Sequence, residues 1–237
     1  MAKAISSRPS LAPVCITFCL ALAGAGPALA DPIADGQALA TSGAAGVVAC
    51  ATCHGAQGEG MAAAGFPYLA GQNAAYLALQ LKDLASGKRE NAAMAPIAKA
   101  MNDAQIQAAA AYFAQLPAPF DSQALADHED SYPAKDDIGA WLANRGDWDH
   151  NLPACVQCHG PGGVGVGEHF PALAGQPAKY IRDQLLAWKE GKRDPGPQSL
   201  MGDIASRMND AQMTAVADYF SALPTSIQAA TDKGGKQ

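Results

Sequence analysis

Between residues 73 and 86, Leu77, Leu81 and Leu84 recur at i, i+4 and i+7, and the same spacing returns at Ile181, Leu185 and Trp188. Apolar side chains on that period fall on one face of a helix. Gly87 and Gly191 stand where such helices would end. Further on, Asn102 with Gln105, and Asn209 with Gln212, have capping-box spacing. The helices they open carry Ile106, Ala110 and Phe113 in one case and Met213, Ala217 and Phe220 in the other. Pro117 and Pro224 are expected to stop them, because proline removes a backbone donor and clashes with the preceding turn. Shorter helices are expected near 34–43 and 136–145. No run has the period of two that a half-buried strand requires, so the pattern predicts an all-α protein.

The pattern also occurs twice. "FPYLAGQNAAYLALQLKDLASGKR" (66–89) aligns without a gap on "FPALAGQPAKYIRDQLLAWKEGKR" (170–193), and "MNDAQIQAAAAYFAQLP" (101–117) aligns on "MNDAQMTAVADYFSALP" (208–224). Such self-similarity marks two copies of one structural unit. The expected organisation is a leader at 1–30, domains at 31–117 and 137–226, a linker rich in Pro and charge at 118–136, and a disordered tail at 227–237. Each unit is small, with long loops rich in Gly and Pro, and helices this few bury only a thin core. Domains of that size often depend on a cofactor or cross-links.

The first thirty residues have the composition of an export signal. Lys3 and Arg8 precede an apolar run from Leu11, and Ala28, Leu29 and Ala30 form an A-x-A-like cleavage site. Pro13 and Pro27 interrupt the run, which is short for a membrane span. Cleavage after Ala30 predicts an exported, periplasmic protein. It removes Lys3 and Arg8, leaving 14 basic against 22 acidic residues, a formal charge of −8. That balance argues against nucleic acid as a partner and favours a basic patch on a protein partner.

Cys15 and Cys19 leave with the leader, so four cysteines remain: Cys50, Cys53, Cys155 and Cys158. All four lie in "CATCHG" (50–55) and "CVQCHG" (155–160). C-x-x-C-H is the attachment signature of c-type haem. Residues three apart on a helical turn share a face, which lets two thiols form thioethers along one haem edge. The following His54 or His159 can then bind iron from one side. A redox dithiol normally accompanies a βαβ pattern, which is absent. A single zinc site would need the two distant pairs to converge, and two structural disulfides would not require the histidines. Two haem c groups are therefore expected.

Two such domains in tandem, each with C-x-x-C-H, F-P-x-L-A-G-Q and a late Met before a final helix, resemble the c4-type dihaem cytochromes, built from class I cytochrome c domains. The resemblance runs from about 36 to 224. It implies a small helical fold around each covalently bound haem. For the second axial ligand, His128, His150 and His169 do not recur at matched positions. Met94 with Met201 and Met101 with Met208 do recur, and thioether ligation suits haem iron. Met101 and Met208 sit at the N′ position of a hydrophobic staple, which explains them structurally. Met94 and Met201 lie in the preceding loop, are the expected ligands, and agree with the family alignment. Met61 and Met213 lack repeat partners and are read as packing. The resemblance further implies that the Pro67 and Pro171 carbonyls accept the second N–H of each ligating histidine. Arg89 and Arg193 are read either as partners of haem propionates or as solvated helix ends.

With both axial positions filled, iron offers no open site for substrate, and the expected function is electron transfer rather than catalysis. The resemblance implies a periplasmic carrier between a quinol-oxidising complex or dehydrogenase and a terminal oxidase. The alternative is the dihaem subunit of an enzyme complex, similar to those of flavocytochrome sulfide dehydrogenases or some alcohol dehydrogenases.

Overall fold

The computed structural model describes residues 31–127 and 132–234. The leader at 1–30, His128 and the last residues of the tail lie outside the described residues. In the first domain, α1 (Pro32–Ser42) is capped by Asp31, whose carboxylate accepts from the Ile33 N–H at 3.0 Å. A single turn, α2 (Ala51–His54), carries the first Cys motif. Asn73 caps α3 (Ala74–Ser86), accepting from the amides of Ala75 and Tyr76, and Gly87 ends it in the left-handed region. Next come α4 (Met94–Ala100) and α5 (Asp103–Gln115), the latter opened by a full capping box between Asn102 and Gln105.

Helix α5 packs on α1 and α3. Leu77, Ala78, Ile106, Ala110, Tyr112 and Phe113 form the buried core with Ala40. A Cβ on Gly36 would collide with the Ala108 carbonyl oxygen and the Tyr112 Cβ. Glycine is what lets α1 cross α5 this closely.

The second domain repeats the plan with α7 (Ile138–Asn144), α8 (Val156–His159), α9 (Ala178–Lys189), α10 (Leu200–Arg207) and α11 (Asp210–Gly234). Gly139 meets Ala215 and Tyr219 of α11 as Gly36 meets α5. Leu142, Ile181, Leu185, Met213, Val216 and Phe220 are buried together. The linker is not featureless: it contains α6 (Ser122–Asp127), whose Leu125 is buried in the second domain's core.

Two expectations are corrected. Helix α5 ends at Gln115, before Pro117, but α11 runs through Pro224 to Gly234. A proline deprives the carbonyl four residues earlier of its helical donor. In both copies a loop glycine takes over: Gly71 N–H donates to Phe113 O at 2.9 Å, and Gly175 N–H to Phe220 O at 2.8 Å. Because the freed carbonyl is satisfied, proline alone does not decide where the helix ends. Burial of Leu223 and Ile227 in the second core favours continuation, so Ile227, expected to open the tail, is part of that core. The second correction concerns Met94 and Met201, which were expected in loops and instead lie in the first turns of α4 and α10.

The two copies meet through a reciprocal exchange of glutamines. Gln72 donates to Ala172 O at 3.0 Å and accepts from Ala172 N–H at 3.1 Å. Gln176 likewise donates to Tyr68 O at 3.1 Å and accepts from Tyr68 N–H at 3.2 Å. Tyr68 reaches across as well, its hydroxyl donating to Ala174 O at 3.0 Å, and its ring meets Phe120 edge-on. A short backbone bridge pairs Arg89 with Arg193, flanked by Glu90 N–H to Lys192 O (2.8 Å) and Asp194 N–H to Lys88 O (2.6 Å). Among the described residues β-pairing is confined to isolated bridges of this kind, and the all-α expectation holds. No described helix is long and apolar enough to cross a membrane.

Candidate haem sites

Each Cys motif begins one residue ahead of a single helical turn. The His54 N–H donates to Cys50 O and the His159 N–H to Cys155 O, both at 2.9 Å. This closes the turn and sets the two sulfurs and the imidazole of each motif on one short element. The glycine after each histidine reverses the chain: Gly55 has φ 85° and Gly160 φ 80°, a region that disfavours any Cβ. The four described cysteines are half-buried and none is joined to another in a disulfide. In the chain before haem attachment, burial raises the Cys50 thiol and pushes Cys155 up to about 12.

The two imidazoles are buried, each 7% exposed. His54 Nδ1 lies 2.8 Å from Pro67 O, and His159 Nδ1 lies 2.8 Å from Pro171 O. A carbonyl can only accept, so Nδ1 carries the proton and donates. This leaves the lone pair on Nε2, which meets no hydrogen-bond partner among the described residues. Burial lowers the pKa of both rings, and the carbonyl hydrogen bonds oppose this only in part. Neutral, fixed in one tautomer and open at Nε2, each ring has the form a metal-ligating histidine needs. Two thiols beside it on the same turn match covalent haem attachment, so the residues present fit a c-type haem in each domain.

The methionines differ in burial. Met101 packs against the first core, and Met208 and Met213 are buried in the second. Met94 and Met201 are half-buried at the starts of α4 and α10, and Met94 N–H is anchored on Asn91 Oδ1 at 2.9 Å. Met61, read as packing, is instead 45% exposed. His150 and His169 are exposed beside Asp147 and Glu168.

Arg89 and Arg193 are not solvated helix ends. Both are buried where the domains meet, in a cluster with Gln80, Gln184, Tyr76 and Tyr180. Sequence reasoning missed this group and the Gln72–Gln176 exchange. Their recurrence at matched positions was the one available signal.

Two helical units, each built round a C-x-x-C-H turn with a buried neutral imidazole, define a tandem c-type haem protein. The cytochrome c family model matches residues 33–117 and 150–224. The chain belongs to the cytochrome c family, and within it is a c4-type dihaem cytochrome, an electron-transfer protein with two haem c groups. It is 51% identical over 189 residues to the thiosulfate dehydrogenase electron acceptor of Stutzerimonas stutzeri (strain A1501), covering 79% of this chain and 85% of that one. To cytochrome c4 of Pseudomonas aeruginosa it is 35% identical over 186 residues, covering 78% and 88%. The solved thiosulfate dehydrogenase of Marichromatium purpuratum superposes with a TM-score of 0.71 at 42% identity, over 80% of this chain but only 40% of that longer chain.

Proposed function

We propose that this dihaem carrier accepts electrons singly from a thiosulfate-oxidising dehydrogenase in the periplasm and passes them to a terminal oxidase. Haem c supplies a one-electron iron couple when bound. In this reading Cys50, Cys53, Cys155 and Cys158 hold the haems through thioethers. His54 and Met94, and His159 and Met201, would bind the two irons, with the imidazoles oriented by the Pro67 and Pro171 carbonyls. The observation that carries the reading is the pair of buried, neutral imidazoles, each with Nδ1 committed to a proline carbonyl and Nε2 free. A ligand held this firmly moves little between oxidation states, which suits electron transfer. The export-signal composition of residues 1–30 supports export, and the names of the relatives support the donor.

Rapid mixing of the oxidised protein with a thiosulfate dehydrogenase and thiosulfate tests the donor. Reduction of both haems is expected; reduction only by a quinol-oxidising complex would replace it. The same preparation tests the ligands. Met94→Ala and Met201→Ala should each remove about half of the ferric thioether-to-iron charge-transfer band, and a full-strength band in either would reassign that ligand. The longer Marichromatium purpuratum chain favours a second reading, a stable dehydrogenase subunit, which predicts co-purification with the catalytic polypeptide.

A further inference from the structure

The two repeats differ just ahead of their Cys motifs. In the first, a backbone bridge joins Ala44 to Val47 with Ala45 and Gly46 between them; in the second, the matching bridge joins Asp147 to Leu152 and encloses Trp148, Asp149, His150 and Asn151. The longer turn is firmly held. Asp147 and Leu152 exchange backbone hydrogen bonds at 2.8 and 2.9 Å. Asp147 Oδ2 accepts from Gln212 Nε2 at 3.4 Å and lies 2.7 Å from His150 Nδ1. Arg207 Nη1 donates to Asn151 O at 3.2 Å, and Asn151 takes a φ of 55° as the turn closes. Yet this turn presents Trp148 outward, 64% exposed, and its ring meets no aromatic or cationic partner among the described residues.

Trp148 walls a hollow of about 490 Å³ together with Trp141, Arg145, Asp147, Asp149 and Gln157. Gln157 stands between Cys155 and Cys158, so the hollow opens beside the turn that holds the second haem, while none of its lining residues is a cysteine, His159 or Met201. The nearby cations already have aromatic partners: Arg145 lies over the Tyr132 ring at 5.1 Å and Lys135 over Trp141 at 5.6 Å. Asp149 is exposed and forms no hydrogen bond or ion pair with a described residue. Residues 132–150 carry four aspartates against one lysine and one arginine. The first copy, aligned through Gly36 and Gly139, has Ala38 for Trp141 and Ser42 for Arg145. The hollow is therefore an addition to the second copy and not part of the shared haem scaffold.

We propose that the hollow between Trp141 and Trp148 is the docking surface for a redox protein that presents a basic patch, with one lysine or arginine of that partner entering against the Trp148 ring and the Asp149 carboxylate. An indole face attracts a cation, and the adjacent unpaired carboxylate completes the attraction. Tryptophan carries a large share of binding energy at protein interfaces, and a turn already fixed by its own hydrogen bonds loses little freedom on binding. The excess of 22 acidic over 14 basic residues in 31–237 steers a basic partner towards the molecule. The proposal rests on the carrier reading and adds to it that the second domain, not the first, meets the partner.

The test uses the mature dihaem protein with Trp148→Ala, Asp149→Asn or Asp149→Lys, each checked for two haems per chain and unchanged midpoint potentials. Stopped-flow reduction by thiosulfate dehydrogenase and thiosulfate is followed at low and high salt. Trp148→Ala should lower the second-order rate about tenfold. Asp149→Asn should slow it about threefold at low salt and flatten its salt dependence, with a larger effect for Asp149→Lys. Val48→Ala, which trims a 55% exposed residue just ahead of the first Cys motif, should leave the rate unchanged. An unchanged rate in Trp148→Ala, equal slowing in Val48→Ala, or a wild-type rate that rises with salt overturns the docking surface and leaves the carrier reading intact. If the dehydrogenase does not reduce wild type, the donor reading fails by itself, and the same variants are read with a quinol-oxidising complex. Wild-type dimerisation in sedimentation, abolished by Trp148→Ala, assigns the hollow to a second copy of this chain and also overturns the proposal.

Discussion

A buried imidazole that must stay neutral links ligand geometry to stability. Burial holds His54 and His159 below the ordinary imidazole value, against the weaker opposite pull of Pro67 and Pro171. The unfolded chain takes up protons on these rings near pH 6.5, with a reference value of about 6.5, and the folded chain does so only at lower pH. The unfolded state then binds more protons over that interval, so stability is complete above about pH 6.5 and declines as pH falls below it. Iron on Nε2 competes with the same proton and acts in the same direction. Urea midpoints measured from about pH 8 down to about 5.5 should be level at first and then fall; a midpoint that rises on acidification contradicts this account. Each histidine was legible from its place after C-x-x-C, whereas its neutrality depends on burial by distant segments.

At the scale of elements, sequence signals work where local chemistry closes a local ring. The capping boxes at Asn102 and Asn209 form as their spacing predicts, with hydrogen bonds of 2.9–3.0 Å. Helices α4 and α10 were missed because they are short and their N-cap residues, Ala93 and Ser199, make no side-chain cap bond; burial of Ala98 and Ala205 favours them, which no periodicity advertises. Pro224 misled for the complementary reason, since continuation past it follows from burial of Leu223 and Ile227 in the second core, with Phe220 O satisfied by Gly175. The helix crossings give a direct test. Gly36→Val places atoms against α5 backbone, and overpacking typically costs about 1–3 kcal/mol. Ala38→Val on the exposed face of α1 should cost only about 0.5 kcal/mol. Equal urea midpoints for the two variants would mean that the α1–α5 crossing is not close-packed.

For the whole molecule, the decisive contacts join the repeats. Gln72 and Gln176 were visible in sequence as the last residue of F-P-x-L-A-G-Q, but nothing there says that each serves the other copy's backbone. Both are buried, and their four hydrogen bonds contribute about 1 kcal/mol each. The double variant Gln72→Ala, Gln176→Ala should lose about 2–4 kcal/mol and split one calorimetric transition into two. A single unshifted transition would show that the exchange does not couple the domains. The arginine pair follows the same logic: its recurrence was readable, and its burial was not.

What the sequence by itself determined are features closed within a few residues: two repeats, their amphipathic helices and caps, and the turn that sets two thiols and an imidazole together. The physical reason is that helical period and backbone chirality act over a few residues. Only the tertiary structure decided which proline ends a helix and where Met94 and Met201 sit. It also decided that both histidines are neutral, and that Arg89 and Arg193 face each other across the two domains. Those outcomes depend on burial and on donors supplied from far along the chain, quantities that no local window contains.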